Sequence, residues 1–204
     1  ATSVSVSRWL LLAVALVAAC AAGLALGPVP IVLGDVMRAL VGAGEPQTIA
    51  IVRDLRLSRV VLAMITGAGL GMSGAALQGT LRNALAEPYL LGVSGGAAVG
   101  AVLAVVAGLT AALALPVAAF AGAACAVLLV LLVARAARGR ADPRILLMAG
   151  VVVGAFANAA IMVLLAGAAE GTVRSALWWM MGSVAGADWA TIRWLTLYAL
   201  GGGV

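Results

Sequence analysis

The sequence predicts an all-α, polytopic membrane protein built as a bundle of transmembrane helices. Three observations predict it. The 204 residues are 65% hydrophobic and only 9% charged, with a mean hydropathy of +1.22; soluble domains run at about half apolar and a quarter charged. The apolar residues come in runs of about 20, the length that crosses a hydrocarbon core of about 30 Å at 1.5 Å per helical residue. Finally, 26 glycines recur with alanine inside those runs, as they do where membrane helices pack backbone to backbone.

Within one transmembrane domain over 1–204, spans are expected near 9–27, 60–81, 90–108, 115–134, 145–167 and 190–204, the sixth truncated at Val204. The first run follows Arg8 and is longer than the apolar core of a signal peptide, so a spanning helix is expected. The second carries Ala63, Gly67, Gly71, Ala75 and Gly79 at intervals of four, a rail of small residues on one face. Gly69, Gly71 and Gly74 also satisfy G-x-G-x-x-G, but a dinucleotide fingerprint needs a preceding strand, and none is expected. The third span repeats the rail at Gly92, Gly96, Gly100, Ala104 and Gly108, and the fifth begins another at Gly150, Gly154 and Asn158. Cys20 and Cys125 fall inside apolar runs and are expected to be small buried residues.

Loop arginines predict the orientation. Arg135, Arg138, Arg140 and Arg144 crowd one short connection, which places that loop, Arg82 and the N-terminus on the cytoplasmic side. Segment 28–59 is then outside, yet it holds Arg38, Arg53, Arg56 and Arg59 against Asp35, Glu45 and Asp54. That excess runs against the positive-inside rule and asks for a function. The net charge of +5 comes from scattered arginines, which predicts no nucleic-acid partner. The chain has no His, which excludes a Ser-His-Asp triad and His-ligated haem or zinc, and no Lys, which excludes a Walker A lysine. No catalytic residue, metal site or cofactor is expected.

Residues 77–100, LQGTLRNALAEPYLLGVSGGAAVG, gather Gln78, Arg82, Asn83, Glu87 and Pro88 ahead of Gly92 and Gly96. The cluster reads as a turn between the second and third spans. Pro88 bends it, Asn83 and Glu87 satisfy freed amides, Arg82 pairs with Glu87, and the glycines let the next helix start against close neighbours. Asp142 and Pro143 read as the cap and first turn of the fifth helix, with Arg144 behind them. Asn158 reads as an interhelical hydrogen-bonding group, one of two readings of equal weight, the other of which depends on the resemblance given below. Trp178, Trp179, Trp189 and Trp194 read as an aromatic belt near the outer surface.

The stretch 55–101, LRLSRVVLAMITGAGLGMSGAALQGTLRNALAEPYLLGVSGGAAVGA, resembles the signature region of the FecCD family of ABC-importer permeases. That pattern is approximately R-x-P-R, a glycine-rich helix, Q, then N-P-L-A-[DE]-P-x-x-L-G-x-x-x-G-A. Arg56, Arg59, Gln78, Asn83, Leu85, Ala86, Glu87, Pro88, Leu91, Gly92, Gly96 and Ala97 fit it, while Ser58 and Ala84 stand where the family usually has proline. LLMAGVVVGA (146–155) and WWMMGSVAGADW (178–189) resemble two further blocks.

The resemblance implies the N-terminal part of a type II ABC-importer permease, a non-enzymatic subunit of the bacterial inner membrane. Its cargo would be an iron-siderophore, haem or cobalamin. Its partners would be a second permease copy, a cytoplasmic ATPase dimer and a periplasmic binding protein. It implies docking of the binding protein at Arg56 and Arg59, with Trp178 and Trp179, a gate at Asp142, Pro143 and Arg144, and a pore-lining helix bearing Asn158. An ion-coupled secondary transporter is the alternative, but it would need intramembrane ionisable residues that these spans almost lack. A non-transporting membrane scaffold subunit is the third reading.

Overall fold

A computed structural model describes residues 6–109, 111, 113–137 and 143–202, with Pro143 described by its backbone alone. Among the described residues all regular structure is helical. In chain order it comprises α1 (Val6–Ala25), α2 (Leu33–Leu40), α3 (Pro46–Ala50), a π-helix (Ile51–Leu57) and α4 (Ser58–Leu81). A 3-10 turn (Pro88–Leu91) follows, then α5 (Val93–Val106), α6 (Ala114–Ala136), α7 (Pro143–Ala166), α8 (Glu170–Met181) and α9 (Trp189–Gly202). Four helical runs, Val6–Ala25, Pro46–Leu81, Ala114–Ala136 and Arg144–Ala166, are long and apolar enough to cross a membrane. At 14 residues α5 is shorter, about 21 Å. The chain forms two compact units, residues 1–69 with 184–204 and residues 70–183, and α4 passes from one into the other.

In the first unit the second span starts far earlier than position 60. Helix continues without a break from Pro46 to Leu81, 36 residues; Arg53, Asp54 and Arg56 interrupt the apolar run but not the helix. The π-helix inside it is closed by Ser58. This buried hydroxyl lies 2.7 Å from the Asp54 carbonyl, 3.1 Å from that of Leu55 and 3.2 Å from that of Ala187. It offers a donor where a π turn takes carbonyls off the regular ladder. Helix α2 is amphipathic: Val36 and Ala39 are buried with Val52, under Leu24, Ala25 and Ile31. Its other face carries an exposed Arg38–Asp35 pair at 3.4 Å, worth about 1 kcal/mol at most.

In the second unit α5, α6 and α7 interlock through their glycines. A methyl built on Gly96 would come within 2.5 Å of the Ala126 Cβ, one on Gly122 within 3.0 Å of the Gly100 nitrogen, and one on Gly150 within 2.8 Å of the Leu91 Cα. Hydrogen is the only side chain these positions hold, and the reward is dispersion between backbones where lipid removes the hydrophobic drive. A second core of Val102, Ile161 and Ala176 joins α5, α7 and α8. The α4 rail behaves differently: Gly67, Gly71 and Gly79 meet nothing within 4 Å among the described residues.

The cysteines also depart from expectation. Cys20 is half-buried with its Sγ 3.6 Å from the Met64 Sδ, while Cys125 is exposed and lines an apolar cavity between α5, α6 and α7. Both are free thiols.

Candidate functional site

The turn after α4 lies within the second unit. Arg82 takes φ +48°, the left-handed region, and the Asn83 N–H donates to the Gln78 carbonyl at 3.2 Å. That six-to-one bond is the helix-ending motif in which glycine usually stands. Arg82 holds it with a Cβ in place, a strain of roughly 1 kcal/mol. Asn83 then accepts the Leu85 N–H on its Oδ1 at 3.0 Å, closing the next step. Glu87 contributes through its backbone, its carbonyl accepting the Leu90 N–H at 3.1 Å, while its side chain makes no capping bond. The expected Arg82–Glu87 ion pair does not form: the ion pairs among the described residues are Arg38–Asp35 and Arg174–Glu170. The left-handed Arg82 and the Asn83 amide close the turn without it. Gln78 is exposed in the last turn of α4.

Pro88 opens the 3-10 turn, and Gly92, at φ +71°, ends it and starts α5. A side chain at Gly92 would be strained by that φ and would crowd the Gly150 carbonyl at 3.3 Å. The turn therefore lies flat on α7, two turns inside that helix. Non-helical backbone at membrane depth is stable only against protein or beside a cavity. Both conditions hold here. One cavity of about 340 Å³ is lined by Tyr89, Gly92, Gly150, Gly154 and Asn158. A second of about 310 Å³ is lined by Ser94, Ala98, Trp179 and Met180, and Tyr89, Gly95 and Asn158 line both.

Asn158 stands on the 24-residue α7, about 22 Å from its start. Its side chain is exposed and enters no hydrogen bond among the described residues, so the interhelical bond weighed for it is not made. Helix α8 packs on α5 through the cluster of Val102, Ile161 and Ala176, and Trp179 lines the same cavity as Asn158. Trp179 is itself 38% exposed. Trp178, its neighbour, is 67% exposed. Pro143 begins α7 with Arg144 in its first turn; Asp142 lies outside the described residues.

Arg56 also corrects its expectation. Its side chain is buried, at 7% exposure, and its guanidinium donates to the Leu24 and Ala25 carbonyls, both at 2.8 Å, and to the Val29 carbonyl. It closes the C-terminus of α1, where unpaired carbonyls and the negative end of the helix dipole favour a cation, and so does not project outward to a partner. Arg53 does a lesser version of the same, donating to the Leu40 carbonyl at the end of α2 at 3.0 Å. Two of the arginines in segment 28–59 are thus engaged by helix ends. Arg59 is exposed, with one bond to the Ala185 carbonyl at 3.2 Å. Near α9, the Asp188 carboxylate accepts the Thr191 N–H, and that bond holds its pKa below the ordinary value.

A model of the FecCD transport family matches residues 11–204. The chain belongs to that family. Among FecCD relatives, the achromobactin transport system permease protein of Dickeya dadantii is 38% identical over 201 residues, 96% of this chain and 57% of its own. The vitamin B12 import system permease protein of Escherichia coli O127:H6 is 36% identical over 193 residues, 93% of this chain and 56% of its own. A solved metal-chelate type ABC transporter in an inward-facing conformation superposes with a TM-score of 0.79 at 25% identity, covering 96% of this chain and 59% of that one. The chain spans about half the length of the curated relatives it matches.

Proposed function

We propose that this chain is the membrane-embedded permease part of an ATP-driven importer for a metal chelate of the siderophore or cobalamin kind. The observation that carries this is the family match across residues 11–204, together with relatives named for achromobactin, Fe(3+)-citrate and vitamin B12 import. The charge pattern supports it. No Asp, Glu or Arg stands within 60–81, 93–134 or 145–169, so these stretches hold none of the charged groups that an ion-coupling relay uses.

Two copies would form the pathway between them, an ATPase dimer would drive it from the cytoplasm, and a periplasmic binding protein would deliver the chelate. The N-terminus and the 135–144 connection lie on the cytoplasmic side in this reading. Asp142, Pro143 and Arg144 form a gate at that end of α7, and Asn158 lies in the pathway. Arg59, exposed, is the docking arginine, with Trp178 on α8 as a further contact. Arg56 shapes the surface from behind by holding the end of α1.

Reconstitution of the permease in proteoliposomes with its ATPase and binding protein tests the reading. ATP-dependent uptake of radiolabelled ferric citrate, a ferric hydroxamate or cyanocobalamin is the expected result. Uptake driven by a proton gradient without ATP would overturn it.

A further inference from the structure

We propose that the turn 184–187 is an orienting element for Arg59, and that Ser58 is the positioning residue that fixes this turn. Together they ready the Arg59 guanidinium for a carboxylate on the protein that docks there. The inference rests on the importer reading above and deepens it.

The link consists of bonds already formed, between two segments of the first unit. The Ala187 N–H donates to the Val184 carbonyl at 3.1 Å and closes the turn. Two of the turn's carbonyls are then met by neighbouring residues at the head of α4. The Arg59 guanidinium donates to that of Ala185 at 3.2 Å, and the Ser58 Oγ lies 3.2 Å from that of Ala187. These partners are 126 and 129 positions apart in sequence, so the match of adjacent donors to carbonyls two residues apart is a product of the fold. Ser58 is wholly buried, and its one hydroxyl proton also serves the Asp54 and Leu55 carbonyls, which ties the turn to the π-helix. The far end of the turn is anchored as well, where Asp188 accepts the Thr191 N–H as α9 begins.

Arg53, Arg56 and Arg59 all donate to backbone carbonyls, with different results. Arg53 and Arg56 are taken up by the ends of α2 and α1. Arg59 gives the Ala185 carbonyl one bond, and a guanidinium has five N–H donors in a planar fork. The rest of the fork suits a carboxylate, which it can meet with two parallel bonds. A neutral carbonyl orients the cation without cancelling its charge, as a carboxylate of the chain's own would. An arginine side chain free to change rotamer loses that freedom on docking, which weakens association. The bond to Ala185 settles part of the ordering before the partner arrives. It does so only while the Ala185 carbonyl is itself held still, and the Ser58 hydroxyl and the closed turn hold it.

The test uses the full permease with its ATPase in lipid nanodiscs, titrated with the binding protein of the same transport system at low and at physiological salt. Ser58→Ala should raise the dissociation constant about two- to tenfold, the loss expected when one rotamer-rich side chain must be ordered on binding. Its salt dependence should match wild type, because the charge at position 59 is still present. Arg59→Gln should weaken binding and flatten the salt dependence. In the Arg59→Gln background Ser58→Ala should have no further effect, a result that a general loss of packing would not give. Ala185→Gly, on the exposed turn, loosens the same carbonyl without touching the buried hydroxyl, and it should act in the same direction and only with Arg59 in place. Wild-type affinity in both Ser58→Ala and Ala185→Gly would overturn the inference and leave the importer reading intact. A Ser58→Ala loss that persists beside Arg59→Gln, or an Arg59→Gln variant that binds like wild type, would do the same. A wild-type permease that does not bind the binding protein would overturn both.

Discussion

Replacing Gly100 by alanine adds one methyl to the tightest contact between α5 and α6. That methyl would overlap the Ala118 carbonyl, lying 2.8 Å from its carbon and 3.3 Å from the Gly122 Cα. Ordinary carbon contacts sit at about 3.5–4.0 Å, so the helices must part by roughly 1 Å, and a gap of that size forfeits a quarter to a half of each dispersion well across the seam. Backbone cannot swing aside as a flexible side chain can. The upper end of the overpacking range applies, about 3 kcal/mol, offset by about 1 kcal/mol of helix propensity gained from glycine to alanine. The net loss is about 2 kcal/mol. Gly171→Ala in the first turn of α8 is the control, since a methyl there meets nothing within 4 Å among the described residues; it should be neutral or slightly stabilising. Unfolding of the purified protein in mixed micelles, titrated with a denaturing detergent and followed by circular dichroism, measures both. Gly100→Ala within about 0.5 kcal/mol of wild type, a shift typical of an uninvolved surface position, would refute the interlocked-backbone reading.

Three further outcomes follow from the same geometry. Arg82→Gly should stabilise by up to about 1 kcal/mol and Arg82→Val should destabilise, because only the first relieves the left-handed backbone; the same micelle titration checks the order. Arg56→Lys should destabilise by about 1–3 kcal/mol, since an ammonium cannot reproduce a fork that meets three carbonyls, whereas Arg59→Glu should leave stability alone and weaken binding-protein association in a salt-sensitive way. The lowered pKa of Asp188 means that its cap on α9 is fully present above the ordinary carboxylate range and is lost as pH falls through the lowered value. The protection of the Thr191 amide, its exchange rate measured against an unstructured peptide at the same pH, should therefore fall on acidification in wild type and show no such step in Asp188→Ala.

Uninterrupted apolar runs made most long helices legible from sequence, because hydropathy and spacing alone decide which backbone can face lipid. The α5 rail was legible for the same reason: glycine every four residues has few uses inside a membrane but close approach. What stayed hidden depended on contacts distant in sequence. The helical stretch from Pro46 to Leu57 looked like a charged loop, because a hydropathy window sees Arg53, Asp54 and Arg56 and not the carbonyls awaiting them. Arg56 serves residues 31 and 32 positions upstream, and no local pattern announces that pairing. Arg82 hid its left-handed turn because glycine is the usual sign of one. Trp179 reads as a belt residue from sequence, and the cavity it lines beside Asn158 depends on contacts among α5, α7 and α8 that no local pattern announces. Asn158 was visible as an oddity, but its companions Tyr89 and Ser94 became visible only when the turn and α7 were side by side.

The lock at Arg56 also has a timetable. Its carbonyl partner Ala25 is made 31 residues earlier, so at synthesis rates of about 5–20 residues per second the end of α1 waits roughly 2–6 s for its cation. During that interval the nascent chain carries a finished apolar helix whose last carbonyls have only water for partners. The first helix can therefore be made before its far end is fastened, and the fastening comes from a guanidinium about three turns into the helical run that follows. The order of manufacture thus leaves the last carbonyls of α1 without their cation until Arg56 emerges and turns back.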